Sequence, residues 1–178
     1  MTKLAASVLG EISKTRSAVL HSVGLAVACA VSYEVTTQSQ PHVYSVSKVD
    51  NVIGGLWAVI ATAFVYRTSY EESEAAALTR MAATLLSFVL CLVYLMIFPF
   101  SVWGLAVLIG IGSLVLILIG RGSYVVTATI GTAVILLSAA VSPHDPWKQP
   151  ILRLADTAVG VAVGFAAAWI ALRLSSRE

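Results

Sequence analysis

Polar residues punctuate this chain rather than alternate along it. Six long apolar stretches run over Ser17–Val35, Val52–Tyr66, Met81–Phe98, Val102–Ile119, Ser123–Val141 and Ala155–Leu172, with short polar connections between them. A helix crossing a bilayer needs roughly 20 apolar residues, and most of these stretches come near that length. The second is short, so Val49-Asp50-Asn51 must extend it or Gly54-Gly55 must break it. The stretches are continuously apolar, whereas a membrane β-strand alternates between lipid and lumen. The pattern therefore predicts an all-α membrane protein with six transmembrane helices.

Upstream of the first stretch, Leu4, Ala5, Val8, Leu9 and Ile12 recur at helical spacing, while Lys3, Glu11, Lys14 and Arg16 take other faces. Residues 1–16 read as an amphipathic cytoplasmic segment, either lying at the interface or extending the first helix. Residues 17–172 form the membrane domain and 173–178 a short tail. The first apolar run continues to Val35 without a small-residue cleavage site, as expected of a retained anchor rather than a cleaved signal. Between helices 1 and 2, Thr36–Asn51 reads as a polar outer loop. Ser142-Pro143-His144-Asp145-Pro146 reads as a rigid one between helices 5 and 6, and Phe98-Pro99-Phe100-Ser101 as a tight hairpin.

Composition agrees with a membrane solvent. Soluble domains carry about 25% charged residues; here 11% are charged and 58% hydrophobic, with a mean hydropathy of +0.90. Lys and Arg are retained on the cytoplasmic side during insertion. With six spans and the N-terminus inside, Lys3, Lys14, Arg16, Arg67, Arg80, Arg121, Arg173 and Arg177 fall inside and Lys48, Lys148 and Arg153 outside. Both termini are accordingly expected in the cytoplasm. The net charge of +2 is small and dispersed, which argues against a nucleic-acid partner.

Chemistry enters through two short segments. Leu78–Thr84 and Ile151–Thr157 each place an arginine, Arg80 or Arg153, immediately before an apolar stretch and a threonine, Thr84 or Thr157, four residues later. One segment introduces helix 3 from inside and the other helix 6 from outside. Two inverted three-helix repeats follow, an arrangement many transporters use to build a site near the midplane. At a helix N-terminus an arginine is unfavourable unless it reaches water, pairs with an acid, or helps to bind an anion. Arg80 has Glu71, Glu72 and Glu74 nearby, and Arg153 has Asp156 one turn on.

The small residues Gly160, Gly164 and Ala168, and Gly24, Ala28 and Ser32, suit close helix packing. In helix 5, Tyr124, Thr127, Gly131 and Ser138 share a side and could line a path or bond the preceding turn. Glu34 and Asp156 are the candidate proton-coupling acids. Cys29 and Cys91 stand in apolar stretches without metal-ligand neighbours. Phosphate-loop, His-Glu-x-x-His and serine-base patterns do not occur, so neither an enzyme nor a cofactor or metal site is expected.

Leu56-Trp57-Ala58-Val59-Ile60-Ala61-Thr62, Leu78–Ser87 and Arg153-Leu154-Ala155-Asp156-Thr157-Ala158-Val159-Gly160 resemble three motifs of the fusaric acid resistance family. These are bacterial efflux proteins that include aromatic carboxylic acid exporters and are related to the aluminium-activated malate transporters of plants. Ala83 and Ser87 stand where the second motif expects glycines. The resemblance implies a membrane block that works as a homodimer, since larger members carry two blocks. It also implies that Arg80 and Arg153 attract a carboxylate while Trp57 stacks on an aromatic ring. The expected function is efflux or facilitated permeation of small organic anions. Alternatives are a membrane scaffold that docks a partner through Glu71–Glu74 and the N-terminal segment, or an exporter of cationic or amphipathic compounds.

Overall fold

The computed structural model describes residues 2–43, 47–142 and 145–175. Six α-helices carry them, in the order α1 (Thr2–Val43), α2 (Lys48–Val65), α3 (Tyr70–Ile97), α4 (Val102–Leu118), α5 (Val125–Val141) and α6 (Lys148–Ser175), with a short 3-10 turn at Gly122–Tyr124. Five have a span long and apolar enough to cross a membrane; the sixth apolar helix, Val102–Leu118, has 17 residues. This is a multi-pass membrane protein.

Several helices outrun their apolar stretches, and local chemistry explains each extension. The run Thr36–Val43, expected as loop, continues α1. Its hydroxyls stay compatible with helix by bonding back one turn: Thr37 Oγ1 donates to Tyr33 O at 2.9 Å and Ser39 Oγ to Thr36 O at 3.3 Å. At the other end α1 runs unbroken from Thr2, so residues 2–16 are helical and continuous with the first span. Helix α2 reaches back to Lys48 because Ser47 caps it, its hydroxyl accepting from Asp50 N. The Gly54-Gly55 pair does not break it; a Cβ at Gly55 would lie 2.6 Å from the Tyr33 ring, so the glycine lets α1 approach. Pro143 and His144 of the expected rigid loop lie outside the described residues.

The largest departure concerns the arginines. Helix α3 begins at Tyr70, not Met81, because Ser69 caps it and Glu71, Glu72, Glu74 and Ala75–Ala77 are strong helix formers. Helix α6 begins at Lys148, not Ala155, with Pro150 in its first turn, where the lost N–H is tolerated. Arg80 and Arg153 are therefore inside helices rather than at their entrances.

Helix α2 packs between α1 and α6, and α3 between α5 and α6, with α4 against α5. Helices α2 and α6 run parallel, as the matched contacts Trp57 with Thr157 and Thr62 with Gly160 require. A Cβ on Gly160 would sit 2.3 Å from the Ala58 carbonyl oxygen. Only hydrogen fits there, and the threonine hydroxyl crosses to the Gly160 carbonyl at 3.0 Å. Helices α3 and α5 repeat the theme: Ser87 Oγ donates to Ala128 O at 2.9 Å, and Thr132 Oγ1 to Ser87 Oγ at 3.3 Å. Of the buried helix 5 hydroxyls, that of Thr132 thus ties α5 to α3.

Candidate functional site

Among the described residues, four charged side chains are buried: Asp50, Arg80, Arg153 and Asp156. Their surroundings divide the two arginines that the sequence treats alike. Arg153, at 0% exposure, stands with Nη1 3.1 Å from Asp156 Oδ2, also at 0%. Its Nη2 donates to the backbone oxygen of Asp50 at 3.2 Å. The ion pair lies within one turn of α6, at an angle outside hydrogen-bond geometry.

Asp50 itself gathers three ends of the bundle. Its Oδ2 accepts from Ser47 Oγ at 2.8 Å, and its Oδ1 accepts from Ser142 Oγ at 2.8 Å and Gln149 Nε2 at 2.9 Å. The start of α2, the end of α5 and the start of α6 therefore meet on one carboxylate. The sequence reading passed over Asp50; the available signal was Ser47-x-x-Asp50, a helix-capping spacing. It passed over Gln149 as well, which no pattern distinguishes.

Arg80 has none of this. It is 1% exposed, and none of its three guanidinium nitrogens has a hydrogen-bond partner among the described residues. The guanidinium carbon lies 4.5 Å from the centre of the Trp57 ring and 5.0 Å from that of Phe64. The reason is sequence: one turn beyond Arg153 stands Asp156, whereas one turn beyond Arg80 stands Ala83, itself fully buried. Glu71, Glu72 and Glu74 are exposed and do not neutralise it. A face-on aromatic ring contributes about 2 kcal/mol or more to a desolvated cation. The cost of burying a charge is several kcal/mol after relaxation.

Trp57 joins the two environments. Its Nε1–H donates to Thr157 Oγ1 at 2.9 Å, and that hydroxyl donates to the Arg153 carbonyl at 2.8 Å. Of the sequence candidates, then, Arg80 and Trp57 come together, with Thr84 buried one turn along α3. Thr157, Arg153 and Asp156 form a second group on α6, tied to the first through the indole. Glu34 is exposed on α1, with Oε2 accepting from Gln38 Nε2 at 2.9 Å.

Comparison with known proteins bears on what the site is for. The family described as fusaric acid resistance protein-like matches residues 41–167. The chain belongs to this family. The match covers the helices that carry Asp50, Trp57, Arg80, Arg153 and Asp156. No curated protein and no solved structure matches. Membership suggests membrane transport or a role in resistance, and family members are transporters rather than enzymes.

Proposed function

We propose that this protein moves small organic anions, such as aromatic carboxylates, across a bacterial inner membrane, and that Arg80 receives the anion. The observation that carries the reading is a fully buried guanidinium with no acid and no hydrogen-bond acceptor among the described residues, lying over Trp57. Guanidinium presents paired donors that suit a carboxylate. The adjoining indole gives a flat apolar wall for an aromatic ring. Arg153, by contrast, already has Asp156 and the Asp50 carbonyl, so its part is to hold α6 against α2. The cationic-substrate alternative calls for an available buried acid; of the two, Asp156 is engaged with Arg153 and the Asp50 carboxylate with Ser47, Ser142 and Gln149.

In this reading all six apolar helices cross the bilayer, both termini are cytoplasmic, and two copies form the transporting unit. The excess of basic residues on one side supports the orientation. The parallel pairs α2 with α6 and α3 with α5 support an inverted repeat, in which Thr62 bonding at Gly160 corresponds to Thr132 bonding at Ser87.

Flux through proteoliposomes tests the proposal. Benzenesulfonate is a suitable probe because it stays charged and does not leak across the bilayer as a neutral acid. Saturable benzenesulfonate flux with the wild-type protein and none with Arg80→Met is the expected result. Equal flux with both, or none with either, contradicts the reading.

A further inference from the structure

Among the described residues the four buried charged groups balance: two are basic and two acidic. An anion at Arg80 unbalances them by one negative charge, in surroundings where water does not screen it. The bundle can restore neutrality by taking up one proton, and the chemistry around its two acids selects which one. Asp156 faces a guanidinium, which has only donors and cannot reverse. Asp50 faces two hydroxyls and a carboxamide. Hydroxyls donate or accept as required, and a carboxamide turned over presents oxygen in place of nitrogen. Gln149 is 2% exposed, and its Oε1 has no partner among the described residues. A proton on Asp50 would give that orphan acceptor a donor. The guanidinium of Arg153 bonds Asp50 at the backbone oxygen and acts on its carboxylate through space, without a salt bridge to it.

We propose that Asp50 is a proton-binding site whose occupancy is linked to that of the anion site at Arg80. The inference rests on the reading of Arg80 given above. It also accounts for the connection between the two sites, since Trp57 touches Arg80 and bonds through Thr157 to the carbonyl of Arg153.

The other groups at this end are accounted for. On α2, Lys48 is exposed. Helix α1 presents Tyr33 and Thr37 to Gly55, and Thr37 O accepts from Asn51 Nδ2 at 3.2 Å, while its acid Glu34 is exposed. Helix α5 ends on Ser142, which has no charge. Asp145 and Lys148, in and just after the α5–α6 connection, are exposed and paired with each other. Helix α6 adds Gln149, Arg153 and Asp156. The side chains of His42, Tyr44 and His144 lie outside those described.

The strength of the link follows from distance. Seven residues of α2 separate Asp50 from Trp57, roughly 10 Å of helix, and Arg80 lies 4.5 Å beyond the ring centre. Two unit charges about 15 Å apart, at an effective dielectric constant of about 20, change each other's binding about six-fold. By reciprocity the anion and the proton help each other by the same factor. A six-fold link takes up at most about 0.4 proton per anion bound.

Calorimetric titration of the purified full-length protein with benzenesulfonate tests this, in buffers of different ionisation enthalpy and across a range of pH. Wild type is expected to bind about six-fold more weakly as pH rises and Asp50 ionises, with proton uptake greatest in the middle of that change. Asp50→Asn, neutral at every pH, is expected to bind with the tight low-pH affinity throughout and to take up no proton. Ser142→Ala removes one donor to the carboxylate and is expected to alter the pH profile of binding, a second check should Asp50→Asn fold poorly. Wild-type binding without proton uptake at any pH, or an unchanged pH profile in Asp50→Asn, overturns the inference and leaves Arg80 as the anion site. Absence of wild-type binding, or equal binding by Arg80→Met, overturns both.

Discussion

Replacing Arg80 with methionine removes a buried charge that no acid neutralises and leaves an apolar chain of similar length between Trp57 and Phe64. Burial costs an ion several kcal/mol even after relaxation, and the aromatic faces return only part of that, on the order of 2 kcal/mol. In the absence of organic anions the Arg80→Met protein should therefore be more stable than wild type by about 1–3 kcal/mol. For a chain of this size each kcal/mol moves the unfolding midpoint by roughly 2–4 °C, so Tm should rise by about 2–12 °C. Arg153→Met is the matched comparison. It strands Asp156, fully buried, without its cation, and should lower stability by about 3–5 kcal/mol. Thermal unfolding of both variants in the same detergent, without organic anions, measures the contrast. A fall in Tm for Arg80→Met comparable with that of Arg153→Met would refute the argument, because it would mean that Arg80 is as well compensated as its counterpart.

Two further substitutions probe the frame around the site. Gly160→Ala puts a methyl 2.3 Å from the Ala58 carbonyl oxygen and must push α2 and α6 apart; a loss of about 1–3 kcal/mol should appear as a lower Tm, with weakened response to anion because Trp57 and Thr157 span the same seam. Gly120, at φ 74°, ends α4 with Arg121 N bonded to Leu116 O at 2.8 Å. Gly120→Ala should cost about 1 kcal/mol in thermal unfolding while leaving anion binding intact.

The helices were legible in the sequence because a bilayer demands long apolar runs, and each of the six runs lies on its own helix. Their ends were not legible from hydropathy. Ser69 followed by Glu and Ala residues extends α3 by about three turns beyond its apolar stretch, and capping and helix propensity, not apolarity, decide that. The pairing of Trp57, Arg80 and Thr84 as candidates came from motif position. What the sequence could not supply was the difference between the arginines. Asp156 lies three residues from Arg153 and could be read as its partner, but the isolation of Arg80 depends on Glu71, Glu72 and Glu74 turning outward. Asp50 was invisible for a related reason: its partners Ser142, Gln149 and Arg153 are about a hundred residues away in the chain and meet it only through packing.

The central claim is that an anion binds where Arg80 meets Trp57, and the indole can report on it directly. With Trp103, Trp147 and Trp169 replaced by phenylalanine, Trp57 becomes the sole tryptophan, 4.5 Å from the guanidinium. Titration with benzenesulfonate should change its fluorescence saturably, and the same titration of the Arg80→Met form should leave it flat. An unchanged signal in the parent, or an equal change in the Arg80→Met form, would contradict the account.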